Sequence, residues 1–591
     1  MSQELHIHTP KEEASHIDDS KLAITTDAGD SHESQPQRHT LAFLSRNKKT
    51  RQEQEEEAAK VNHRTMTYLR VELTKRKDFI ESHGGLRDIT EQESTRVQWK
   101  VRRQGASVAE QQIDRFLMPM MMYMYFLQQL DKSALGYSVL FGIQTDAHLV
   151  GQQYAWLNSI VYFAQLVCQP LSVYALVVFP LNRWICTCFT GWSVSLVIMA
   201  AMTGFPGLMV MRFFLGAFEA TIAPTFVIVT SMWWTRREQP LRVNIWFSMN
   251  GIAGIVGSLA TYGLGHIPTD KLHSYQIIFL FCGLLSFLMS IPTWFLFPAR
   301  PSTARFLTTD EKLIALERIR ANNTGEHNQE FKWSQVKECL LDLKTWGWVI
   351  MSKGRLCSNG VANFQTILYN MIPGVIIIVS NLVTAYLIMR FKKKSPVIFV
   401  ASLFPLASAV ALYILPRGVQ YKHSLLAVYF VLQVLGCLTA NIMGWAFANT
   451  AGHTKKSTLT GMIFVGLTVG NIVGPQNFSK LTKSQLYLAK ESPYYYTGLK
   501  ANLVLFCVFS ATVVLQAAYL GFLNRRNVAR RRALGKSGEA VDLSLEASSK
   551  WAGLRAAQAQ TDTTTGGVTQ HNTKAFDDCT DLQNEDFVYS L

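Results

Sequence analysis

Four ionisable residues sit in sequence otherwise suited to lipid. Leu130-Asp131-Lys132-Ser-Ala-Leu135 closes one apolar run, and Arg212-Phe-Phe-Leu-Gly216-Ala-Phe-Glu219 lies inside another. Charges in a bilayer core are costly and mark ion or substrate pathways. Arg212 and Glu219 are seven residues apart, so a helix puts them on one face with ~10 Å of rise between them. Asp131 falls at the height of Arg212. The expected geometry is therefore an Asp131–Arg212 pair with Glu219 one step deeper. A carboxylate in a low-dielectric site can exchange protons near neutral pH. Arg212 or Lys132 can hold a carboxylate, Arg through two parallel hydrogen bonds. Glu219 and Asp131 are thus the candidate proton-coupling residues, and Arg212 and Lys132 the candidate substrate-binding ones. The plainer alternative is a static ion pair joining two helices.

Other polar residues in apolar runs are weaker candidates for hydrogen bonds to a substrate: Asn158, Gln165, Asn363, Asn370, Asn441 and Asn471. Joining helices is the commoner role for such groups. Gly251, Gly254 and Gly257 have the spacing that lets helices approach closely. There is no phosphate-binding glycine loop and no nucleophile motif. An enzyme or an ATP-driven pump is therefore not expected, no cofactor is required, and an ion gradient is the energy source. The nine cysteines show no metal-ligand spacing and read as free thiols.

These charges need a frame. Of 591 residues, 48% are hydrophobic and 17% charged, against about 25% charged in soluble proteins. The apolar residues form about a dozen runs near the ~20 residues that cross a bilayer, which excludes a soluble enzyme. Residues 1–110 read as a disordered N-terminal tail. Residues 111–298 hold six spans, 299–345 a polar central loop, 346–523 the second half, and 524–591 a second tail. The net charge of +15 does not point to nucleic acid. Nearly all of it lies within 346–523, where fourteen Lys and Arg face one acid, Glu491.

Lys and Arg in short loops set topology. Clusters at Arg236, Arg237 and Arg242, at Arg390 to Lys394, at Lys455 and Lys456, and at Arg525 to Arg532 fall on one side only if residues 346–364 also cross. Parity thus predicts twelve crossings with both termini cytoplasmic. The seventh crossing reads as truncated, and Lys353 and Arg355 interrupt it. The arginines after the last span read as an anchor to anionic lipid.

Six spans, a polar loop and six spans resemble the major facilitator superfamily. Particular strings carry the likeness further: Leu130 to Leu135, Asp146-Ala-His148-Leu-Val-Gly151-Gln-Gln-Tyr154-Ala-Trp156, Arg212 to Glu219, Ser231-Met-Trp-Trp-Thr-Arg236-Arg-Glu-Gln239-Pro240-Leu-Arg242, His453-Thr-Lys455-Lys456, and Gly470-Asn471-Ile-Val-Gly474-Pro475. Over about residues 111–530 they resemble the fungal allantoate-permease group of the anion:cation symporter family. The resemblance implies a major facilitator fold of two six-helix halves, monomeric in the plasma membrane. It implies proton-coupled uptake of a small organic anion such as a ureide, nicotinate or a similar carboxylate. Lys132 and Arg212 would contact the anion. Glu219 would couple protons, with Asp131 the second proton site.

Arg183, Arg236, Arg237 and Arg242 would form gating loops at the cytoplasmic side. The loop at Phe179-Pro180-Leu-Asn-Arg183 departs from the superfamily's Gly-Asp-Arg pattern and keeps only the basic residue. An exporter of the same superfamily is the second reading. A non-transporting sensor or inactive paralogue, motivated by residues 346–364, is the third.

Overall fold

The computed structural model describes residues 87–265, 267, 272–308, 330–353, 371–416, 419–473, 496–534 and 578–591, with isolated positions between 311 and 322. All the regular structure among them is helical. The first half comprises α1 (Arg87–Ser138), α2 (Gln153–Val178), α3 (Leu181–Ala200), α4 (Phe205–Glu219), α5 (Ile222–Trp233), α6 (Gln239–Gly265) and α7 (Ser274–Leu296). A short α8 (Trp333–Leu341) leads into the second half: α9 (Leu343–Lys353), α10 (Met371–Phe391), α11 (Ser395–Ile414), α12 (Lys422–Leu432), α13 (Leu435–Ala448), α14 (His453–Val473) and α15 (Tyr496–Ala533). Among the described residues nine helical spans are long and apolar enough to cross a membrane, with α4–α5 and α12–α13 each counted as one. The lower part of α1 and the 21-residue α14 are also long enough, whereas α9, at 11 residues, is too short to cross by itself, and the residues that follow it lie outside the described ones.

Helix α1 runs across the expected boundary of the first tail. Its 52 residues make a rod of about 78 Å, far longer than the ~30 Å hydrocarbon core. Its upper part therefore stands outside the lipid, within the stretch 1–110 expected to be disordered. The physical reason is cooperativity. Residues 87–110 are rich in Glu, Gln and Arg, which propagate a helix readily once the span below has nucleated it. Residues 1–86, and with them the rest of that expectation, lie outside the described residues.

Within the first half, α3 packs on α7, α1 on α6 and α2 on α4; in the second, α11 packs on α15 and α9 on α14. The halves meet along α6 against α10 and α2 against α14. The glycines of α6 divide by role. A Cβ on Gly251 would collide with the carbonyl oxygen of Gly374 in α10, and a Cβ on Gly374 would collide with that of Gly251. Gly254 has nothing within 4 Å of such an atom. Two alanine substitutions one turn apart should therefore have opposite signs. Gly251→Ala should lower the melting temperature, since overpacking costs ~1–3 kcal/mol. Gly254→Ala should raise it slightly, because glycine in a helix interior is ~1 kcal/mol worse than alanine. Thermal unfolding of the purified protein checks both.

The four basic clusters used for topology converge on one end of the bundle, here called the basic end. All four reach segment 578–591. Arg236 Nη2 donates to the Val588 carbonyl (2.9 Å), the Lys394 amide to that of Leu591 (2.7 Å), and Arg530 Nη1 to that of Leu582 (2.9 Å). Lys455 Nζ pairs with Asp581 (3.0 Å). Because Lys344 also binds Asp581, residues 344 and 394 share an end. A shared end is what the parity of the basic loops expects, and α10 is the described crossing between them. Residues 354–370, including Arg355, Asn363 and Asn370, lie outside the described residues. Arg530 and Arg531 are committed to this segment, Arg531 by an ion pair with Asp586. The lipid-anchor expectation for that cluster is corrected at these two residues.

Candidate functional site

The site begins with a break in a helix. Phe205–Trp233 is one 29-residue span, but it is interrupted between α4 and α5. Pro224 is the cause. It offers no N–H, and its ring clashes with the carbonyl four residues earlier, that of Ala220. The break leaves Glu219 as the last residue of α4, at the midpoint of the span. Gly216, one turn earlier, lets α4 lie directly on α2, since a Cβ there would strike the Val161 carbonyl. One turn further along α2, Gln165 then reaches Glu219.

Glu219 is held on both oxygens. Lys132 Nζ lies 3.1 Å from Oε1, and Gln165 Nε2 donates to Oε2 at 3.0 Å. Glu219 is 2% exposed, whereas the Lys132 side chain keeps 29% of its surface. Asp131 faces elsewhere. Its Oδ2 accepts from Trp192 Nε1 (2.6 Å) on α3 and from Ser286 Oγ (3.0 Å) on α7. Its Oδ1 is buried with no hydrogen-bond partner among the described residues.

The expected Asp131–Arg212 pair is not formed. Arg212 is 4% exposed, and its Nε and Nη2 find no hydrogen-bond partner among the described residues. Those two nitrogens carry the parallel N–H pair on one edge of the guanidinium, the edge that matches a carboxylate. Tyr154, Tyr162, Glu219 and Asp131 all lie within electrostatic reach of it. Lys132, Glu219, Arg212 and Asp131 therefore do gather in the middle of the first half, but with the partners exchanged.

The other candidates separate. Asn441 is buried and fully engaged. Its Nδ2 donates to Thr384 Oγ1 and the Cys437 carbonyl, and its Oδ1 accepts from Asn244, each at 2.9 Å. It joins α6, α10 and α13, the packing role such groups commonly have. Asn158 and Asn471 are half-buried on α2 and α14. Of the gating candidates, Arg183 is exposed and Arg237 half-buried. Arg242 is tied to Glu110 (2.6 Å) and Asp114 (2.7 Å). Arg236 is buried, and its guanidinium lies 5.0 Å above the Phe587 ring. Sequence reasoning missed Trp192, Ser286, Asp114 and segment 578–591. The first two carried no signal in an apolar run. The acids of the segment, set against the unbalanced positive charge of the second half, did.

The chain is similar to known proteins over most of its length. Residues 121–475 match the Major Facilitator Superfamily. An uncharacterized transporter of Schizosaccharomyces pombe is 34% identical over 466 residues, 76% of this chain and 84% of the relative. Allantoate permease of Saccharomyces cerevisiae is 28% identical over 476 residues, 75% of this chain and 82% of that protein. The solved proton:xylose symporter XylE superposes with a TM-score of 0.51 at 11% identity, over 68% of this chain and 95% of its own, a likeness of fold. Two six-helix halves, charges buried at mid-span and these relatives agree: the chain belongs to the Major Facilitator Superfamily, among its fungal allantoate-permease-like transporters.

Proposed function

We propose that this transporter carries a small organic monoanion together with a proton into the cell across the plasma membrane, with its basic end cytoplasmic. The observation that carries the reading is the Arg212 guanidinium, buried with its carboxylate-matching edge unpartnered among the described residues, beside a Lys132–Glu219 pair. With Glu219 and Asp131 both ionised, the four charges cancel. One proton on Glu219 dissolves its attraction for Lys132 and leaves the site with one net positive charge. A monoanion on Arg212, reached also by Lys132, restores neutrality. Proton and anion therefore favour each other's binding, which is the requirement for symport. Rocking of the two halves would then move the neutral load across.

Support for the anion class comes from the charge pattern and from the allantoate permease relative. The test is uptake into proteoliposomes of a panel of ureides, nicotinate, pantothenate and related acids. An inward proton gradient should drive accumulation of at least one of them by about tenfold per pH unit, since one unit is worth 1.36 kcal/mol. Uptake of a panel member that never exceeds the outside concentration under any gradient would refute the coupling.

A further inference from the structure

Segment 578–591 is seated in a cleft of the basic end and is fastened to both halves. On the second half, the Ser590 carbonyl accepts from Trp445 Nε1 (2.9 Å) and Asn449 Nδ2 (3.0 Å), while its amide donates to Asn449 Oδ1 (2.7 Å). Asn527 donates to the Phe587 carbonyl at 2.9 Å. Asp581 is completely buried and shared by Lys344 and Lys455. Tyr589 donates its hydroxyl to the same carboxylate at 2.9 Å. Burial alone would raise the Asp581 carboxyl, but the two ammonium groups outweigh it and hold it well below the usual carboxylate range. On the first half, Arg236 donates to the Val588 carbonyl and covers the Phe587 ring. These two contacts bridge the halves through the segment.

A transporter that rocks must part its halves at each end in turn. Parting them at the basic end pulls Arg236 away from Phe587 and Val588. We propose that segment 578–591 is an internal latch, docked in a basic cleft of the transporter, that holds the basic end closed and slows release on that side. The cleft can also exist without it. Lys344 and Lys455 retain Asp342 and Glu338 as counter-ions, at 2.5 to 3.0 Å, so departure of Asp581 leaves no unbalanced lysine. Docked and released forms are thus both electrostatically tolerable, which a switch requires.

The inference rests on the rocking mechanism proposed above, so its test has a readout that needs no substrate. Hydrogen exchange is followed in lipid nanodiscs for the full chain, for a chain lacking residues 578–591, and for Phe587→Ala, which keeps the Asp581 cluster. The reporting amides are those of the α2–α14 contact, where Gly461 packs on Val173, away from the segment's own hydrogen bonds. The shortened chain should exchange there about tenfold faster, the size expected for one lost charge-assisted hydrogen bond, and Phe587→Ala several-fold faster through loss of the Arg236 contact with the ring. A peptide of sequence 578–591 added to the shortened chain should restore protection, and the same peptide with Asp581→Asn should not. Wild-type exchange in both variants overturns the latch, and Phe587→Ala decides the matter if the shortened chain does not fold. Faster exchange without transport of any panel anion supports the latch and counts against the symport reading instead.

Discussion

Arg212→Ala should abolish anion binding while leaving the protein folded and at least as heat-stable as the wild type. The two halves of that expectation have one cause. Arg212 is buried, and the nitrogens of its binding edge have no partner among the described residues. Burying donors that make no hydrogen bond opposes folding, so removal of the guanidinium relieves a cost that offsets its lost attraction for Glu219 and Asp131. In the loaded protein the same edge donates two charge-assisted hydrogen bonds to the anion. At ~1.5–3 kcal/mol each, their loss weakens binding by about 10²–10⁴-fold. Arg212→Lys should fall between, since a point charge lacks the planar fork. Equilibrium binding of the transported anion, paired with a melting curve, separates this from a structural role. If Arg212 served only to brace helices, alanine would lower the melting temperature and spare affinity.

The residues of the site were legible in the sequence, but their pairing was not. Sequence spacing gives the height of a residue along a helix axis, and Asp131, Lys132, Arg212 and Glu219 do come near one another. It does not give the rotation of one helix against another. Asp131 and Lys132 are adjacent, so their side chains diverge by about 100° around α1. Only one of them can face α4. Lys132 does, and Asp131 is turned toward α3 and α7, where Trp192 and Ser286 hold it. Asn441 illustrates the same limit. Its type suited either substrate or packing, and only the position of Asn244 and Thr384 around it decided for packing. The gathering of the basic clusters at one end was legible because it follows from the parity of basic loops, a property of order along the chain. Segment 578–591 was hidden because its partners, among them Lys332, Lys344, Lys455 and Arg531, are distant from it in sequence.

Glu219→Gln should uncouple the carrier from protons without silencing it. Glutamine keeps the size of the side chain and can still accept from Gln165, so the close contact of α4 with α2 at Gly216 persists. What disappears is the proton site and the negative charge opposite Lys132. The variant then resembles the protonated wild type at every pH, with Lys132 released toward the anion. Breaking a fully buried pair would cost ~3–5 kcal/mol. Lys132, however, retains 29% of its side-chain surface and can turn toward water, so the penalty should be smaller and the protein should fold. Exchange of labelled for unlabelled anion should continue and lose its dependence on pH. Gradient-driven accumulation should be lost, a deficit of about tenfold for each pH unit imposed, at 1.36 kcal/mol per unit. Asp131→Asn serves as the comparison. Its carboxylate is held by Trp192 and Ser286 rather than by a lysine, so its neutralisation frees no cation for the anion. It should reduce accumulation while leaving exchange sensitive to pH through Glu219. Accumulation in Glu219→Gln that still follows the proton gradient at the wild-type level would place the coupling proton elsewhere, with Asp131 the next carboxylate in reach of Arg212.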